Sequence, residues 1–93
     1  MDQINTKILS QTGTLFDGNV SHVTFPGEIG RFSVYPSHAP IISSLVKGTI
    51  ICFKDSGEQQ TIPLESGFVE VKANRIIVCV EQESEKQQLK TDV

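Results

Sequence analysis

Serine, histidine and aspartate are the residue types here that could form a nucleophilic site. Ser37 and His38 are adjacent in the chain, and Asp17 or Asp55 could supply a carboxylate. A nucleophile and its base must meet across a hydrogen bond, which neighbouring residues are poorly placed to do, and the chain has no Gly-x-Ser-x-Gly elbow. We therefore predict that this chain is not an enzyme by itself.

The cysteines and histidines are scattered singly along the chain. A metal site needs ligands at short spacing, whereas His22, His38, Cys52 and Cys79 lie far apart. Both cysteines lie in apolar runs, so we interpret them as small buried residues in adjacent strands rather than as a disulfide or redox pair. The sequence predicts no metal site and no cofactor.

The chain also has no pattern typical of phosphate or nucleic-acid binding. The segment 27–30 contains two glycines but lacks the Gly-Lys-Ser/Thr ending and the following helix of a phosphate-binding loop. Eight basic and 11 acidic residues give a net charge of −3, which provides no basic face for nucleic acid. We expect neither a nucleotide site nor a nucleic-acid partner.

The composition is that of one small globular domain. The chain has 93 residues, of which 38% are hydrophobic and 20% are charged. No apolar run approaches the roughly 20 residues of a membrane helix, and residues 1–3 are acidic and polar, unlike a signal peptide. We predict no direct membrane insertion, so that any membrane association would depend on a partner.

Turn-forming residues recur along the chain, and the segments between them are rich in Val, Ile, Thr and Phe. This pattern predicts an all-β fold, a single β-sandwich or flattened barrel of about eight to ten short antiparallel strands. We place the sandwich at residues 1–81. Residues 82–93 contain only Leu89 and Val93 as apolar groups, so we predict a disordered polar tail there.

Four local features give sharper expectations. Asp17-Gly18 is a strong hairpin dipeptide, so we expect a turn at that point. Pro63 predicts an edge strand or a bulge, because proline cannot donate to a β-ladder. A turn is expected at residues 72–74, where Asn74 can adopt a left-handed conformation. His22 lies on an alternating strand and is expected to face solvent.

Three clusters of residues go beyond general β-strand patterns. They are Gly-Thr-Leu-Phe-Asp-Gly at 13–18, the segment 26–40 ending in Pro-Ser-His-Ala-Pro, and Gly-Phe-Val-Glu-Val at 67–71. In this order they resemble the epsilon subunit of F-type ATP synthase over about residues 8–80. The segment 36–40 is the most specific. Ser33, Ser66 and Arg31 depart from the usual pattern, and Arg31 reverses the charge of a position that is frequently acidic in this family.

The resemblance implies a non-catalytic subunit of the central stalk that links the gamma subunit to the ring of membrane c subunits. It implies a peripheral location, on the cytoplasmic face of the bacterial inner membrane, through the synthase complex. Most members of the family carry a two-helix hairpin after the sandwich, which regulates ATP hydrolysis and in some members binds ATP. Because only a polar tail follows Glu81 here, we expect this chain to lack that hairpin.

The resemblance also implies two contact sets on rigid loops. Contact with the c-ring is expected from Glu28, Ile29, Gly30, Arg31 and Phe32. Contact with gamma is expected from Ser10, His38, Ala39, Pro40 and Ser43. Ile29 and Phe32 would be exposed apolar anchors.

Two other interpretations stay open at this stage. The same loops could be rigid connections whose glycines and prolines only satisfy turn geometry. The chain could also be a free-standing β-sandwich that binds some other protein and shares only turn patterns with the family.

Overall fold

The structure is a computed structural model that describes residues 2–82. Nine strands lie within this range, and each begins and ends close to a turn signal in the sequence. In chain order they are β1 Ile4–Ser10, β2 Gly13–Val20, β3 His22–Pro26, β4 Arg31–Val34, β5 Ile41–Leu45, β6 Gly48–Phe53, β7 Gln59–Leu64, β8 Ser66–Lys72 and β9 Arg75–Glu81.

The strands form two sheets. The five-stranded sheet has the order β2-β1-β9-β8-β5, and the four-stranded sheet has the order β4-β3-β6-β7. The predicted all-β sandwich is therefore confirmed. One strand pair departs from the predicted antiparallel pattern, because β1 runs parallel to β9, with Asn5 opposite Arg75 and Leu9 opposite Cys79.

The core forms between the two sheets because apolar residues occupy alternate positions of the strands. In β1, the buried positions are Ile4, Thr6 and Ile8, and the buried Thr6 hydroxyl donates to the Ile4 carbonyl. Phe25 is the largest fully buried side chain. The remaining buried hydrophobic residues are Phe16, Val20, Val23, Val34, Leu45, Ile50, Cys52, Ile62, Leu64, Val69, Val71, Ile76, Val78 and Val80.

The predicted turn at Asp17-Gly18 is wrong. Strand β2 continues through both residues, which pair with Lys7 and Thr6 of β1. Phe16 and Val20 of β2 are buried on the core side, so the burial of that face outweighs the turn preference of the dipeptide. The chain instead reverses at residues 11–12 and bends at Ser21, where it passes from the five-stranded to the four-stranded sheet.

Two other local predictions are confirmed. Pro63 lies in β7, an edge strand of the four-stranded sheet. The turn between β8 and β9 contains Ala73 and Asn74 with φ of 54° and 58°. The predicted tail at 82–93 lies outside the described residues except for Gln82, whose side-chain amide donates to the Pro63 carbonyl.

The cysteines do not lie in adjacent strands as expected. Cys52 lies in β6 of the four-stranded sheet, and Cys79 lies in β9 of the five-stranded sheet. Both are free thiols. Cys52 points into the core and is fully buried, whereas Cys79 points away from it and is half-buried. The alternation of side chains along each strand produces this difference.

Burial of the Cys52 thiol is expected to make the fold less stable at alkaline pH. Desolvation raises the pKa of its thiol from 9.0 to about 11, against the opposing effect of the Lys54 charge. Between these two values the unfolded chain loses the thiol proton while the folded chain keeps it. The free energy of unfolding is therefore expected to fall as the pH rises from about 9 to about 11.

Denaturant titrations at several pH values measure this effect. Cys52→Ala is the matched variant, and its free energy of unfolding should decline less steeply over the same pH range. If the free energy of unfolding falls equally steeply with pH in the two proteins, Cys52 is not the source of the pH dependence.

Candidate protein-docking site

A tight turn connects β3 to β4; together with the first two residues of β4 it is here called the tip loop (residues 27–32). Two backbone hydrogen bonds close it, one from the Gly27 N–H to the Gly30 carbonyl and one in the reverse direction, each 3.2 Å long. Gly30 has a φ of 151°, a conformation that favours glycine. Ile29 lies at the apex, and its exposed fraction of 105% means that nothing in the described chain covers it.

The base of the tip loop is packed against the sandwich. A side chain at position 27 would lie 2.9 Å from both the Gly30 carbonyl oxygen and the Phe32 ring, so only glycine fits there. The Phe32 ring packs against Phe25, with ring centroids 5.5 Å apart. Gly27 also bridges to Leu45 of the other sheet. These contacts fix the direction in which Ile29 points.

The charges of the tip loop flank its apolar apex. Glu28 comes directly before Ile29 in the chain and Arg31 two residues after it, and both are exposed. The Arg31 guanidinium donates to the Thr49 carbonyl through Nη2 at 3.2 Å, which ties one edge of the loop to β6. The loop can therefore offer a partner one apolar group between an anionic and a cationic group.

Of the five residues predicted to contact the c-ring, four are exposed on the tip loop. They are Glu28, Ile29, Gly30 and Arg31. Phe32 differs from the expectation of an exposed anchor, because its ring is half-buried and packs against the core. Successive side chains of β4 point to opposite faces of the sheet. Because Arg31 points outward, Phe32 points inward.

A second rigid connection joins β4 to β5 and is here called the proline loop (residues 35–40). Tyr35 stacks on His22 of the four-stranded sheet, with ring centroids 4.7 Å apart. The Ser37 N–H donates to the Asn74 side-chain carbonyl at 2.9 Å, and the Asn74 amide donates to the Gln3 carbonyl at 3.0 Å. The loop is therefore attached to both sheets.

His38 has a structural role within the proline loop. Its backbone N–H donates to the Tyr35 carbonyl at 3.1 Å. Its ring Nδ1 lies 2.7 Å from the Ala39 carbonyl oxygen, which can only accept, so Nδ1 carries the proton. His38 is half-buried, whereas Ala39 and Pro40 are exposed.

The structure does not bring all five predicted gamma-contact residues together. Asn74, which holds the proline loop, lies at the end of the five-stranded sheet where β1 begins. Ser10 ends β1 and therefore lies about 20 Å away, at the opposite end. Ser43 lies in β5 and lines the same open depression as the tip loop.

The sequence-based reasoning missed one serine–histidine contact. Ser21 Oγ lies 3.1 Å from His22 Nδ1 and 2.8 Å from the Phe53 carbonyl oxygen. The single hydroxyl proton is donated to that carbonyl, so His22 must donate to Ser21 and cannot act as its base. His22 is stacked between Tyr35 and Phe53 rather than facing solvent as predicted.

Across residues 2–82, no group of three or more His, Cys, Asp or Glu side chains is arranged to hold a metal ion. The same stretch of chain contains no helix that is long and apolar enough to cross a membrane.

The outer face of the five-stranded sheet carries a surface that the sequence analysis did not single out, here called the apolar band. Its members lie on four strands and point away from the core. They are Leu9, Ile42, Phe68, Ile77 and Cys79. Phe68 is 51% exposed and Ile42 is 76% exposed. The sequence of β9 could have indicated this apolar outer face, because residues 76–80 are apolar at every position instead of at alternate positions.

Two sheets of mainly antiparallel strands pack around one buried core and are joined by short rigid turns, which defines a β-sandwich domain. The family model for the β-sandwich domain of the ATP synthase delta/epsilon chain matches residues 3–85. The chain belongs to this family, as the resemblance of its turn clusters predicted.

Relatives in bacteria agree with this assignment. The ATP synthase epsilon chain of a Nitratiruptor species is 38% identical over 87% of this chain and 63% of its own length. The epsilon chain of Maricaulis maris is 37% identical over 87% of this chain and 60% of its own length. The chain therefore spans less than two thirds of the length of these relatives.

Solved structures share the fold. A chain in the cryo-EM structure of the Euglena gracilis mitochondrial ATP synthase (OSCP/F1/c-ring, rotational state 1) matches with a TM-score of 0.81 at 17% identity, over 99% of this chain and 63% of that one. A chain of the Tetrahymena thermophila mitochondrial ATP synthase central stalk and c-ring matches with a TM-score of 0.69 at 13% identity, over 84% and 63% of the two chains.

The attachment of the proline loop can be tested at Asn74. Asn74→Gly permits the left-handed backbone but removes the amide that binds Ser37 and Gln3. We expect faster hydrogen exchange of the Ser37 amide, while the amides of β3 and β6 stay protected. Unchanged exchange at Ser37 would show that the loop is held by other contacts. Ala73→Gly, in the same turn, is the control.

Proposed function

We propose that this chain is an epsilon-type subunit of the central stalk of an F-type ATP synthase. It would couple the gamma subunit to the c-ring, so that the rotor turns as one body during proton-driven ATP synthesis, without catalysing a reaction itself. It would lie at the cytoplasmic face of the bacterial inner membrane, held there through the complex. Membership of the delta/epsilon sandwich family supports this proposal.

The tip loop is the observation that carries the proposal. Its apex, Ile29, is fully exposed although it is a large aliphatic residue. Paired hydrogen bonds and the packing of Gly27 and Phe32 hold the apex in place, so docking would cost little ordering entropy. A preformed apolar apex is suited to anchoring in a partner's pocket, which we assign to the c-ring.

We assign the proline loop, with Ser43 and Ser10, to the gamma contact. Ala39 and Pro40 offer exposed, rigid backbone, and the loop is attached to both sheets by Tyr35 and Asn74. Since Ser10 lies at the far end of the five-stranded sheet, a gamma contact that included it would have to extend along the sheet.

Binding to gamma is the direct test of the proposal. The purified chain is expected to form a stable complex with the gamma subunit of its own synthase, measured by isothermal titration calorimetry and size-exclusion chromatography. A folded chain that binds no gamma would contradict the proposed function. That result would favour a free-standing binding module instead.

The c-ring contact is tested by changing the apex of the tip loop. Ile29→Ser removes the apolar anchor without touching the core, so we expect reduced ATP-driven proton pumping at unchanged ATP hydrolysis in the assembled synthase. Ile29→Leu, which keeps the apolar volume, should retain coupling. If Ile29→Ser pumps protons as well as Ile29→Leu does, Ile29 is not the anchor. Phe32 is unsuited to this test because it packs against the core.

A further inference from the structure

Gln3 lies at the end of the sandwich where three connections between strands come together. It precedes β1, and the parallel ladder between β1 and β9 begins only at Asn5, so that ladder does not hold it. A segment outside the ladders is poorly ordered unless it is tied down. The Gln3 side-chain amide donates to Asp55 Oδ2 at 2.8 Å, and its carbonyl accepts from the Asn74 amide at 3.0 Å. These two hydrogen bonds hold Gln3 between the β6–β7 connection and the β8–β9 turn.

The proline loop begins with a reverse turn that contains a strained residue. The His38 N–H donates to the Tyr35 carbonyl at 3.1 Å, which closes these four residues as a β-turn. Proline fixes φ at about −65°, which suits Pro36 to the second position of the turn. Ser37, at the third position, has a φ of 63°. A positive φ there is typical of a type II turn, in which glycine is the usual residue. Serine keeps this conformation only where surrounding contacts impose it.

A type II turn converts to the commoner type I turn when its central peptide rotates. Here that peptide joins Pro36 to Ser37, and its rotation would point the Ser37 N–H in the opposite direction. The N–H donates to the Asn74 side-chain oxygen at 2.9 Å, a bond that the rotated peptide could not make. The Asn74 side chain therefore selects the type II form. The Gln3 carbonyl orients that side chain by accepting from its amide.

We infer that Gln3, anchored by Asp55, is a positioning residue for the gamma contact, and this inference rests on the proposed function above. Neither residue lies in the proline loop. Both act through the Asn74 side chain, which keeps the reverse turn in its type II form. The turn leads directly into residues 39–40, the exposed part of the loop that we assign to gamma. The form of the turn thus fixes the direction in which that part is presented.

The form of the turn can be measured by NMR in the chain alone. In a type II turn the Pro36 Hα lies close to the Ser37 amide proton and gives a strong nuclear Overhauser effect, which weakens in a type I turn. Gln3→Ala and Asp55→Ala should both weaken this effect. Asp55→Asn should preserve it, because an amide oxygen still accepts from the Gln3 amide. Gln59→Ala, at an exposed glutamine of β7, is the control and should leave it unchanged.

Gamma binding is measured on the same variants by isothermal titration calorimetry. We expect Gln3→Ala and Asp55→Ala each to weaken binding by about fivefold, as for the loss of one exposed hydrogen bond. Gln59→Ala should bind as the wild type does. Ser37→Gly in the Gln3→Ala background should restore the affinity, because glycine adopts a positive φ without the support of Asn74. A loss of affinity that came from general loosening of the fold would not be restored by this glycine.

The outcomes separate this inference from the proposed function. A wild-type chain that does not bind gamma would overturn both. Wild-type binding that Gln3→Ala does not weaken would overturn only the positioning role. Weaker binding by Gln3→Ala with an unchanged nuclear Overhauser effect, or without rescue by Ser37→Gly, would show that Gln3 acts by another route and would also overturn that role.

Discussion

The parallel pairing of β1 with β9 is the interaction on which both the fold and its outer surface depend. It brings the first and last strands of the described chain side by side in the middle of the five-stranded sheet. The pairing places Leu9 beside Cys79, which completes the apolar band. It also brings Gln3 to Asn74, and Asn74 holds the proline loop. Contacts between residues far apart in sequence thus position two separate surface features.

The tip loop depends on a different contact, the close approach of the two sheets at one corner of the sandwich. Gly27 bridges to Leu45, and the Val46 N–H donates to the Pro26 carbonyl at 2.9 Å. Gly48 is needed there as well, because a side chain at that position would lie 2.9 Å from Pro26. The glycines and prolines of this segment therefore determine where Ile29 is presented.

Features that depend on local sequence could be predicted, and those that depend on strand register could not. The edge position of Pro63 and the left-handed Asn74 follow from single residues, and the ordered turn clusters were sufficient to predict the family. The turn expected at Asp17-Gly18 was wrong because pairing with β1 carries β2 through it.

Long-range pairing also explains the surfaces that were missed. The stacking of His22 on Phe53 needs β3 beside β6, and the apolar band needs four strands in one register. The residues predicted to contact gamma also lie further apart in the structure than the sequence-based prediction assumed. Ser43 adjoins the tip loop, while Ser10 lies at the far end of the sheet from the proline loop. Strand order decided these positions, and nothing local in the sequence specifies it.

The central claim is that this sandwich joins two partners through separate surfaces, the tip loop and the proline loop. A cryo-EM structure of the synthase assembled with this chain would test that claim most directly. It should show Ile29 in contact with the c-ring, and gamma in contact with Ala39 and Pro40 of the proline loop. An assembled complex in which Ile29 and Pro40 both face solvent would contradict the account.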